Sequence, residues 1–327
     1  MESLDFVKEK IKKDGLKVVS LKMMRFLLTH LFYQWDLFIK VIKEGMPSTT
    51  IKEINGFKML LDLRNDKGIS RDLFIYGKRE FATTNLLLSS NILKKGDVVL
   101  DIGANIGYYA LLESKLVGEE GIVYALEPVK KNFELLKENI KLNNINNIEI
   151  FKLAAGDENK KCLIHISKKG NWSSLVYRKG MGFYEKEEVD VVKIDEFLKD
   201  KRKPTFIRMD VEGYEYAIIK GMEQTLELDN LKLLIEIHGH IMTEMQVLQM
   251  IDTLESKGFY KVLLIYEPYL GWINPQGKIR TSIKYLTKKI GDGIERLSSE
   301  IRECSISYLK DYVLNKKSCI QALIYKN

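Results

Sequence analysis

The chain has little of several features that mark special classes of protein. Five prolines and 22 glycines exclude a collagenous or low-complexity chain, and a hydrophobic fraction of 45% argues against disorder. The 52 lysines and arginines exceed the 45 acidic residues only modestly, and no long run of like charges occurs. A chain of 327 residues with this composition predicts a globular protein of one large domain or two small ones, and a nucleic-acid partner is not indicated.

Cysteine is also scarce. The three cysteines, Cys162, Cys304 and Cys319, are widely spaced and form no CxxC pair, so the sequence predicts neither a zinc site nor a disulfide framework. We expect all three to be reduced and buried. Residues 1–15 carry charges of both signs and no apolar core, which is not the pattern of a secretory signal. The sequence therefore predicts a cytoplasmic location.

No apolar run has the pattern of a membrane span. The most apolar early stretch, residues 21–42, is interrupted by charged residues at multiples of three and four, which predicts an amphipathic helix. Its apolar face is broad and leaves three uses open. The helix packs on the rest of the chain, pairs with a second subunit, or makes weak peripheral contact with a membrane surface. The last use would suit a protein that acts on a lipid-linked molecule.

Two local patterns predict the organisation of the rest of the chain. Asn55-Gly56 separates two alternating runs and predicts a β-hairpin at about residues 49–63. From residue 97 onward, helical patterns alternate with the apolar runs VVLDIG, IVYALE, IEIFKL, FIRMD, LLIEIH and YKVLLIY. This alternation predicts an α/β fold with a parallel sheet covered by helices. The final run, CIQALIYK, is predicted to add a strand at the sheet edge.

We divide the chain into a helical segment (1–46), a hairpin with its connection (47–75) and one large domain (76–327). Two long excursions interrupt the βαβ alternation in this domain, at about 157–203 and 270–318. Excursions of this length are candidates for elements that bind the substrate.

The motif VVLDIGANIGYYAL is the sharpest signal in the sequence. A strand from Val98 ends at Asp101, and Gly103 and Gly107 accompany a helix predicted to start near Asn105. Because glycine lacks Cβ, a ligand can lie against the backbone at the carboxyl end of the strand, where open α/β sheets bind their ligands. The motif predicts a nucleotide-type ligand.

The residues around this loop indicate which nucleotide binds. Glu127 stands at the end of the next strand, 24 residues after Gly103, where such folds bind ribose hydroxyls. The GxxxG spacing differs from the GxGxxG that binds a pyrophosphate, and Asp101 at the head of the loop would repel a phosphate. S-adenosylmethionine has no phosphate and carries two cationic groups, so the sequence favours this cofactor.

The third strand of the alternation ends in KLAAGDEN. The small residues Ala154, Ala155 and Gly156 would let an adenine ring lie flat, and Asp157 would accept a hydrogen bond from its amino group. Simple close packing explains small residues at a strand end equally well, so both interpretations stay open.

Acids and a histidine follow the fourth and fifth strands. FIRMDVEGYE places Asp210 and Glu212 at the carboxyl edge, and LLIEIHGH ends with Glu236 and His238. Since parallel strands end at one edge of a sheet, we expect the acid pair and the imidazole to converge in a cleft. The alternative is that Asp210 or Glu212 caps the helix that follows.

Together, DIGANIGYYAL, ALEP, IRMDVEGYE and LLIEIH resemble the FkbM family of S-adenosylmethionine-dependent methyltransferases over about residues 75–240. The resemblance implies a Rossmann-like class I methyltransferase fold, with a mostly parallel seven-stranded sheet and helices on both faces. It also implies O-methylation of a hydroxyl on a sugar, glycan or secondary metabolite. One departure is Arg208, where the family usually has lysine.

In this interpretation the predicted cofactor-binding residues are Asp101, Gly103, Asn105, Gly107, Glu127, Ala155 and Asp157. Transfer to a hydroxyl also needs a base, and His238 is the first candidate, with Asp210 or Glu212 as alternatives. A second route places a divalent cation at Asp210 and Glu236, where it would lower the pKa of the acceptor hydroxyl.

Three other functions compete with this one. An RNA methyltransferase would need an RNA-binding module or a dense basic patch, and the sequence has neither. A nicotinamide-dependent oxidoreductase is opposed by the spacing of the glycine loop. A non-catalytic scaffold that keeps the fold is opposed by the acids Asp101, Glu127 and Asp210.

Overall fold

The structure of the chain is a computed structural model. It describes residues 48–66, 68–167, 172–178, 183–266 and 300–326.

Two predictions lie partly or wholly outside these ranges. The amphipathic helix predicted at 21–42 is outside them, so its three proposed uses stay predictions. Of the excursion at 270–318, only the part from residue 300 is described. Within the described ranges, no helix combines the length and the apolar character needed to cross a bilayer.

The strands of the described chain are β1 (Thr49–Ile54), β2 (Phe57–Asp62), β3 (Val98–Ile102), β4 (Ile122–Leu126), β5 (Ile148–Phe151), β6 (Ala154–Gly156), β7 (Lys160–Ser167), β8 (Phe183–Lys193), β9 (Phe206–Met209), β10 (Lys232–His238), β11 (Lys261–Tyr266), β12 (Glu300–Ser305) and β13 (Cys319–Tyr325). The helices are α1 (Ile69–Tyr76), α2 (Phe81–Ser89), α3 (Tyr108–Val117), α4 (Lys130–Leu142), α5 (Ile194–Phe197), α6 (Glu215–Lys220), α7 (Glu244–Ser256) and α8 (Ile306–Lys316).

The hairpin predicted from Asn55-Gly56 is confirmed. Strands β1 and β2 are antiparallel, and Ile54 pairs with Phe57 across the two-residue turn. Asn55 and Gly56 have φ values of 53° and 84°. A two-residue hairpin turn favours this left-handed backbone, which asparagine and glycine tolerate best.

The central sheet confirms the predicted α/β class. Its strand order is β12-β11-β13-β10-β9-β3-β4-β5. The strands β5, β4, β3, β9 and β10 are parallel neighbours, and β13 runs antiparallel to both β10 and β11. Six strands therefore share one direction. The sheet has eight strands rather than the predicted seven, because β12 pairs antiparallel with β11 at the edge.

The final strand, β13, is not at the sheet edge as predicted, and that prediction is wrong. It lies between β10 and β11, and the residues from Ile320 to Ile324 are all buried. A strand covered on both faces reads as a nearly continuous apolar run, which is the pattern of CIQALIY. The run therefore fits an interior strand better than an edge strand.

The excursion at about 157–203 contains extra strands, as the sequence indicated. Strands β7 and β8 are antiparallel, and they form a separate three-stranded sheet with β6. The small residues Ala154, Ala155 and Gly156 form β6 itself and pair with β8. They are thus a strand of this second sheet, and not the end of β5.

The hydrophobic core lies on both faces of the central sheet. Strand β3 shows this directly, because Val98, Leu100 and Ile102 contribute to one cluster of buried residues and Val99 to the other. Successive side chains of a strand point to opposite faces. The helices that bury these faces hold the carboxyl ends of β3, β4 and β9 in fixed positions.

A buried asparagine on α4 connects the hairpin to the glycine loop. The Oδ1 atom of Asn139 accepts a hydrogen bond from the Leu60 amide at 2.6 Å. Its Nδ2 atom donates to the Ile106 carbonyl at 2.8 Å, and Asn139 itself is fully buried. One side chain therefore satisfies backbone groups of two separate elements.

Replacing this asparagine should weaken the fold. We expect Asn139→Ala to lower the free energy of unfolding by about 2–3 kcal/mol, because two backbone groups lose their partner. Urea denaturation followed by circular dichroism measures this. The matched control is Glu138→Ala, an exposed position on the same helix, which should change the stability by less than about 0.5 kcal/mol. Equal effects of the two substitutions would contradict the prediction.

Candidate active site

The glycine loop after β3 touches the end of β9. Gly103 has a φ of +85°, and a Cβ atom at this position would lie 2.2 Å from the backbone oxygen of Asp210. No other residue type fits such a contact without movement of the backbone. The absence of a Cβ atom at position 103 therefore allows the loop to pack directly against the backbone of Asp210.

The helix after this loop begins at Tyr108, and not near Asn105 as predicted. Asn105 has a φ of 53°, and Gly107, which caps the helix, has a φ of 90°. Neither value is compatible with a right-handed helix, so the chain turns twice before the helix begins. A Cβ at Gly107 would lie 2.6 Å from a methyl carbon of Leu136, so Gly107 serves packing against α4.

Glu127, at the end of β4, binds the backbone on both sides of it. Its Oε2 accepts a hydrogen bond from the Asn105 amide at 2.8 Å, and its Oε1 accepts one from the Val129 amide at 2.9 Å. The Asn132 side chain donates to Oε1 at 3.3 Å. Burial raises the pKa of Glu127 to about 7, although these hydrogen bonds favour the charged form. Glu127 thus fixes the glycine loop and lines the space above it.

A cleft lies at the carboxyl ends of the parallel strands. Of the predicted site residues, its lining includes Gly103, Asn105, Glu127, Ala155, Asp210 and Glu212. Those that do not line it are Asp101, Gly107, Asp157, Glu236 and His238. The structure therefore brings together predicted residues from four places: the glycine loop, the end of β4, strand β6 and the segment after β9.

Asp101 does not face the cleft, contrary to the expectation that it meets a cofactor cation. It is fully buried, and its Oδ1 lies 3.1 Å from Nη1 of Arg208. Burial raises the pKa of Asp101, and the Arg208 guanidinium opposes this shift. Asp101 and Arg208 are register partners on the parallel strands β3 and β9. Each of the two residues stands one position before the end of its strand. This shared position was the sequence signal that could have predicted the pair.

Asp157 is also placed away from the cleft. Its carboxylate oxygens lie 3.6 Å from Nζ of Lys160 and 3.5 Å from Nζ of Lys220. Ala155, two residues earlier, is buried and does line the cleft. The predicted adenine-binding pair is therefore divided, and only the alanine faces the ligand space.

Glu212 and His238 do converge, as predicted. Oε2 of Glu212 lies 3.5 Å from Nε2 of His238 and 3.4 Å from Nη2 of Arg178. Burial raises the pKa of Glu212 to about 7, although the neighbouring His238 lowers it. Glu212 lines the cleft, and His238 lies behind it.

His238 is held by a buried carboxylate on its other side. Its Nδ1 lies 2.8 Å from Oε1 of Glu215, and both residues are almost fully buried. Burial disfavours the charged imidazole, but the Glu215 carboxylate keeps the pKa of His238 well above its usual value. This contact favours the protonated imidazole, and His238 stays a predicted base that the structure sets behind the cleft wall.

Asp210 also belongs to a cluster of three acids. Asp210, Glu236 and Glu80 each place a carboxylate oxygen within 4.8 Å of the others. Burial and the charge of Asp210 raise the pKa of Glu236 to about 8. The predicted pair of Asp210 and Glu236 is therefore brought together. Glu80 joins it from the connection before α2, which gave no signal because it lies outside the strand-end pattern.

Arginines balance part of this negative charge. Arg208 reaches Asp210 at 3.4 Å, and Arg79 reaches Glu80 at 3.1 Å. The guanidinium of Arg208 also lies 4.0 Å from the centre of the Tyr109 ring. A planar guanidinium can stack on a ring while it binds carboxylates, which lysine cannot do in the same way.

The cysteines differ in part from expectation. All three are free, as predicted, but Cys162 and Cys304 are half-buried and Cys319 is exposed. The Cys319 thiol donates a hydrogen bond to Oε1 of Glu236 at 2.8 Å. The expectation that all three are buried is therefore wrong.

The strand order, the single reversed strand inside the sheet and the cleft at the strand ends define a class I methyltransferase fold. Residues 101–260 match the family model described as the methyltransferase FkbM domain. This match confirms the resemblance noted from the motifs over residues 101–260.

Curated proteins show what the chain is similar to. It is 37% identical to a protein-L-isoaspartate O-methyltransferase of Ignicoccus hospitalis over 68 residues, which cover 21% of this chain and 31% of that protein. It is 25% identical to the hexuronic acid methyltransferase AglP of Haloferax volcanii over 206 residues, which cover 61% of this chain and 79% of that protein. The chain spans about a third of the length of the first curated relatives it matches.

Among solved structures, a methyltransferase FkbM from Methylobacillus flagellatus is similar to this chain. The sequence identity is 21% and the TM-score is 0.40. The match covers 57% of this chain and 44% of that one.

The close contact at Gly103 can be separated from its backbone conformation. Gly96 has the same φ of +85°, but a Cβ there would meet no atom within 4 Å. We expect Gly96→Ala to cost about 1–2 kcal/mol of folding stability, from the left-handed backbone alone. Gly103→Ala should cost about 1–3 kcal/mol more, because its Cβ also meets the Asp210 carbonyl. Thermal unfolding of both variants tests this, and equal losses of stability would show that the contact is unimportant.

Proposed function

We propose that the chain transfers a methyl group from S-adenosylmethionine to a hydroxyl oxygen of a sugar, glycan or secondary metabolite. The observation that carries this proposal is the cleft itself, which is lined by the buried Glu127 and by the half-buried acid Glu212. The methyltransferase FkbM domain supports methyl transfer. The similarity to a hexuronic acid methyltransferase supports a sugar acceptor.

The lining residues fit the cofactor in hydrogen bonding and shape. Glu127 accepts three hydrogen bonds and has further lone-pair capacity, so it can accept one from a ribose hydroxyl. Gly103 leaves backbone exposed beside it, and Ala155 offers a small apolar surface for the adenine ring.

The cofactor supplies an electrophilic methyl group, and the protein has to position the acceptor and remove its proton. In the transfer, the bond from the acceptor oxygen to the methyl carbon forms as the carbon–sulfur bond breaks, and that electron pair stays on sulfur. The hydroxyl proton passes to a base. Holding the acceptor in line with the methyl group supplies much of the rate enhancement.

We infer that Glu212 takes the proton, with His238 behind it. Glu212 lines the cleft, whereas His238 does not. A carboxylate whose pKa is about 7 is half ionised near neutral pH, which suits a general base. The His238 imidazole, 3.5 Å away, stabilises the ionised form of Glu212.

A divalent cation offers a second route to the same reaction. The carboxylates of Glu80, Asp210 and Glu236 are close enough to ligate one ion. Oxygen ligands of this kind suit magnesium or calcium, and such an ion would lower the pKa of an acceptor hydroxyl. Arg208 and Arg79 already compensate part of the charge, which favours the route through Glu212.

The first test concerns the cofactor. Glu127→Ala should weaken S-adenosylmethionine binding by about 1–3 kcal/mol, measured by calorimetry, because the ribose hydroxyls lose their acceptor. Binding to the unmodified protein should strengthen roughly ten-fold from pH 6 to pH 8, as Glu127 ionises, and Glu127→Gln should remove this dependence. Glu138→Ala serves as the control. Unchanged affinity in Glu127→Ala would remove Glu127 from the site.

The second test concerns the chemistry. Asp210→Asn, Glu212→Gln and His238→Ala should keep near-normal cofactor affinity but lower turnover about a hundred-fold or more. Turnover is measured as demethylated cofactor released with hexuronic acid and other glycoside acceptors. Activity that survives exhaustive EDTA treatment supports the base route. Activity lost with EDTA and restored by magnesium would assign Asp210 and Glu236 to a metal instead.

A further inference from the structure

We propose that Glu215 is a positioning residue that fixes both the His238 ring and the turn that carries Glu212. The inference rests on the proposed function, in which Glu212 takes the proton from the acceptor. Glu215 is the first residue of α6 and is fully buried.

A single oxygen atom of Glu215 makes both contacts. Its Oε1 lies 2.8 Å from Nδ1 of His238 and accepts a hydrogen bond from the Gly213 amide at 2.9 Å. Because a carboxylate oxygen is an acceptor, Nδ1 must carry the proton in this contact. The other ring nitrogen, Nε2, is thereby turned towards Glu212. The proton on Nδ1 and the direction of the ring thus follow from one carboxylate.

The same oxygen also stabilises an unusual backbone. Glu212 has a φ of 55° and Gly213 a φ of 100°, so two consecutive residues are left-handed. Glutamate rarely adopts such a conformation, and it persists only where neighbouring contacts hold it. The Gly213 amide is held by Glu215, and the Glu212 carbonyl accepts a hydrogen bond from the Ser174 hydroxyl at 2.8 Å. The turn is therefore clamped on both sides, and Glu212 is kept at the cleft wall.

A purely structural role makes a different prediction. Glu215 lies in the first turn of a short helix but makes no side-chain cap for it. If Glu215 only filled space, an apolar residue of similar size would replace it without any effect on the His238 ring. If it positions the ring by hydrogen bonding, a residue with an amide oxygen should preserve the ring state and an apolar residue should not.

The experiment reads the ring directly by nuclear magnetic resonance of protein labelled with ¹⁵N-histidine. The His238 signals are assigned with His238→Ala. In the unmodified protein, Nδ1 should carry a proton. Glu215→Leu should remove that proton in a measurable fraction of molecules, whereas Glu215→Gln should retain it, since its amide oxygen can accept the same two bonds.

The matched control is Glu113→Leu. Glu113 is another fully buried glutamate, and neither of its carboxyl oxygens has a hydrogen-bond partner among the described residues. This substitution should leave the His238 signals unchanged. Signals in Glu215→Leu identical to those of the unmodified protein would overturn the proposal.

The unmodified protein and cofactor calorimetry cover two further outcomes. If Glu215→Leu does not fold, the unmodified protein alone decides, because an unprotonated Nδ1 there would also overturn the proposal. S-adenosylmethionine calorimetry on the same samples separates the two hypotheses. Absence of cofactor binding by the unmodified protein would contradict the proposed function, and the ring signals would still report on Glu215.

Discussion

The acidic end of the cleft depends on one buried guanidinium. Arg208 binds Asp101 and Asp210 and stacks on Tyr109, whose hydroxyl in turn donates to Glu80 at 2.7 Å. Carboxylates removed from water are strongly destabilising unless a cation or a proton accompanies them. Arg208 lies at the centre of this network, so the position of Asp210 depends on an arginine that lines the same cleft.

Where no arginine balances a buried carboxylate, protonation can remove its charge instead. The raised pKa values of Glu127, Glu212 and Glu236 all arise first from burial. A carboxyl group in this state changes its charge readily near neutral pH. Burial destabilises these carboxylates in the folded chain. The same burial raises their pKa values and so makes one of them suitable to take the proton of the substrate hydroxyl.

The sequence predicted the residues at strand ends well, because parallel strands finish at one edge. Gly103, Glu127, Asp210 and Glu212 all reach the cleft for this reason. It did not predict how side chains divide between the cleft and the interior. Asp101 lies at a strand end too, but its register partner Arg208 draws it inwards.

Other residues were missed because their contacts join distant parts of the chain. Glu80 lies in a connection with no periodic pattern, and it meets Asp210 only in the folded protein. Glu215 reads as an ordinary acid in the first turn of a helix. Its contact with His238 joins two residues that are 23 positions apart in the chain, which no local pattern encodes.

The interior position of β13 sets an order for folding. Strands β10 and β11 do not pair with each other, and each pairs with β13 instead. During synthesis, β10 and β11 emerge before the strand that joins them. The parallel half of the sheet can assemble from earlier segments, whereas the half beside His238 has to wait for residues 319–325. The edge of β10 therefore stays open to wrong partners until β13 inserts.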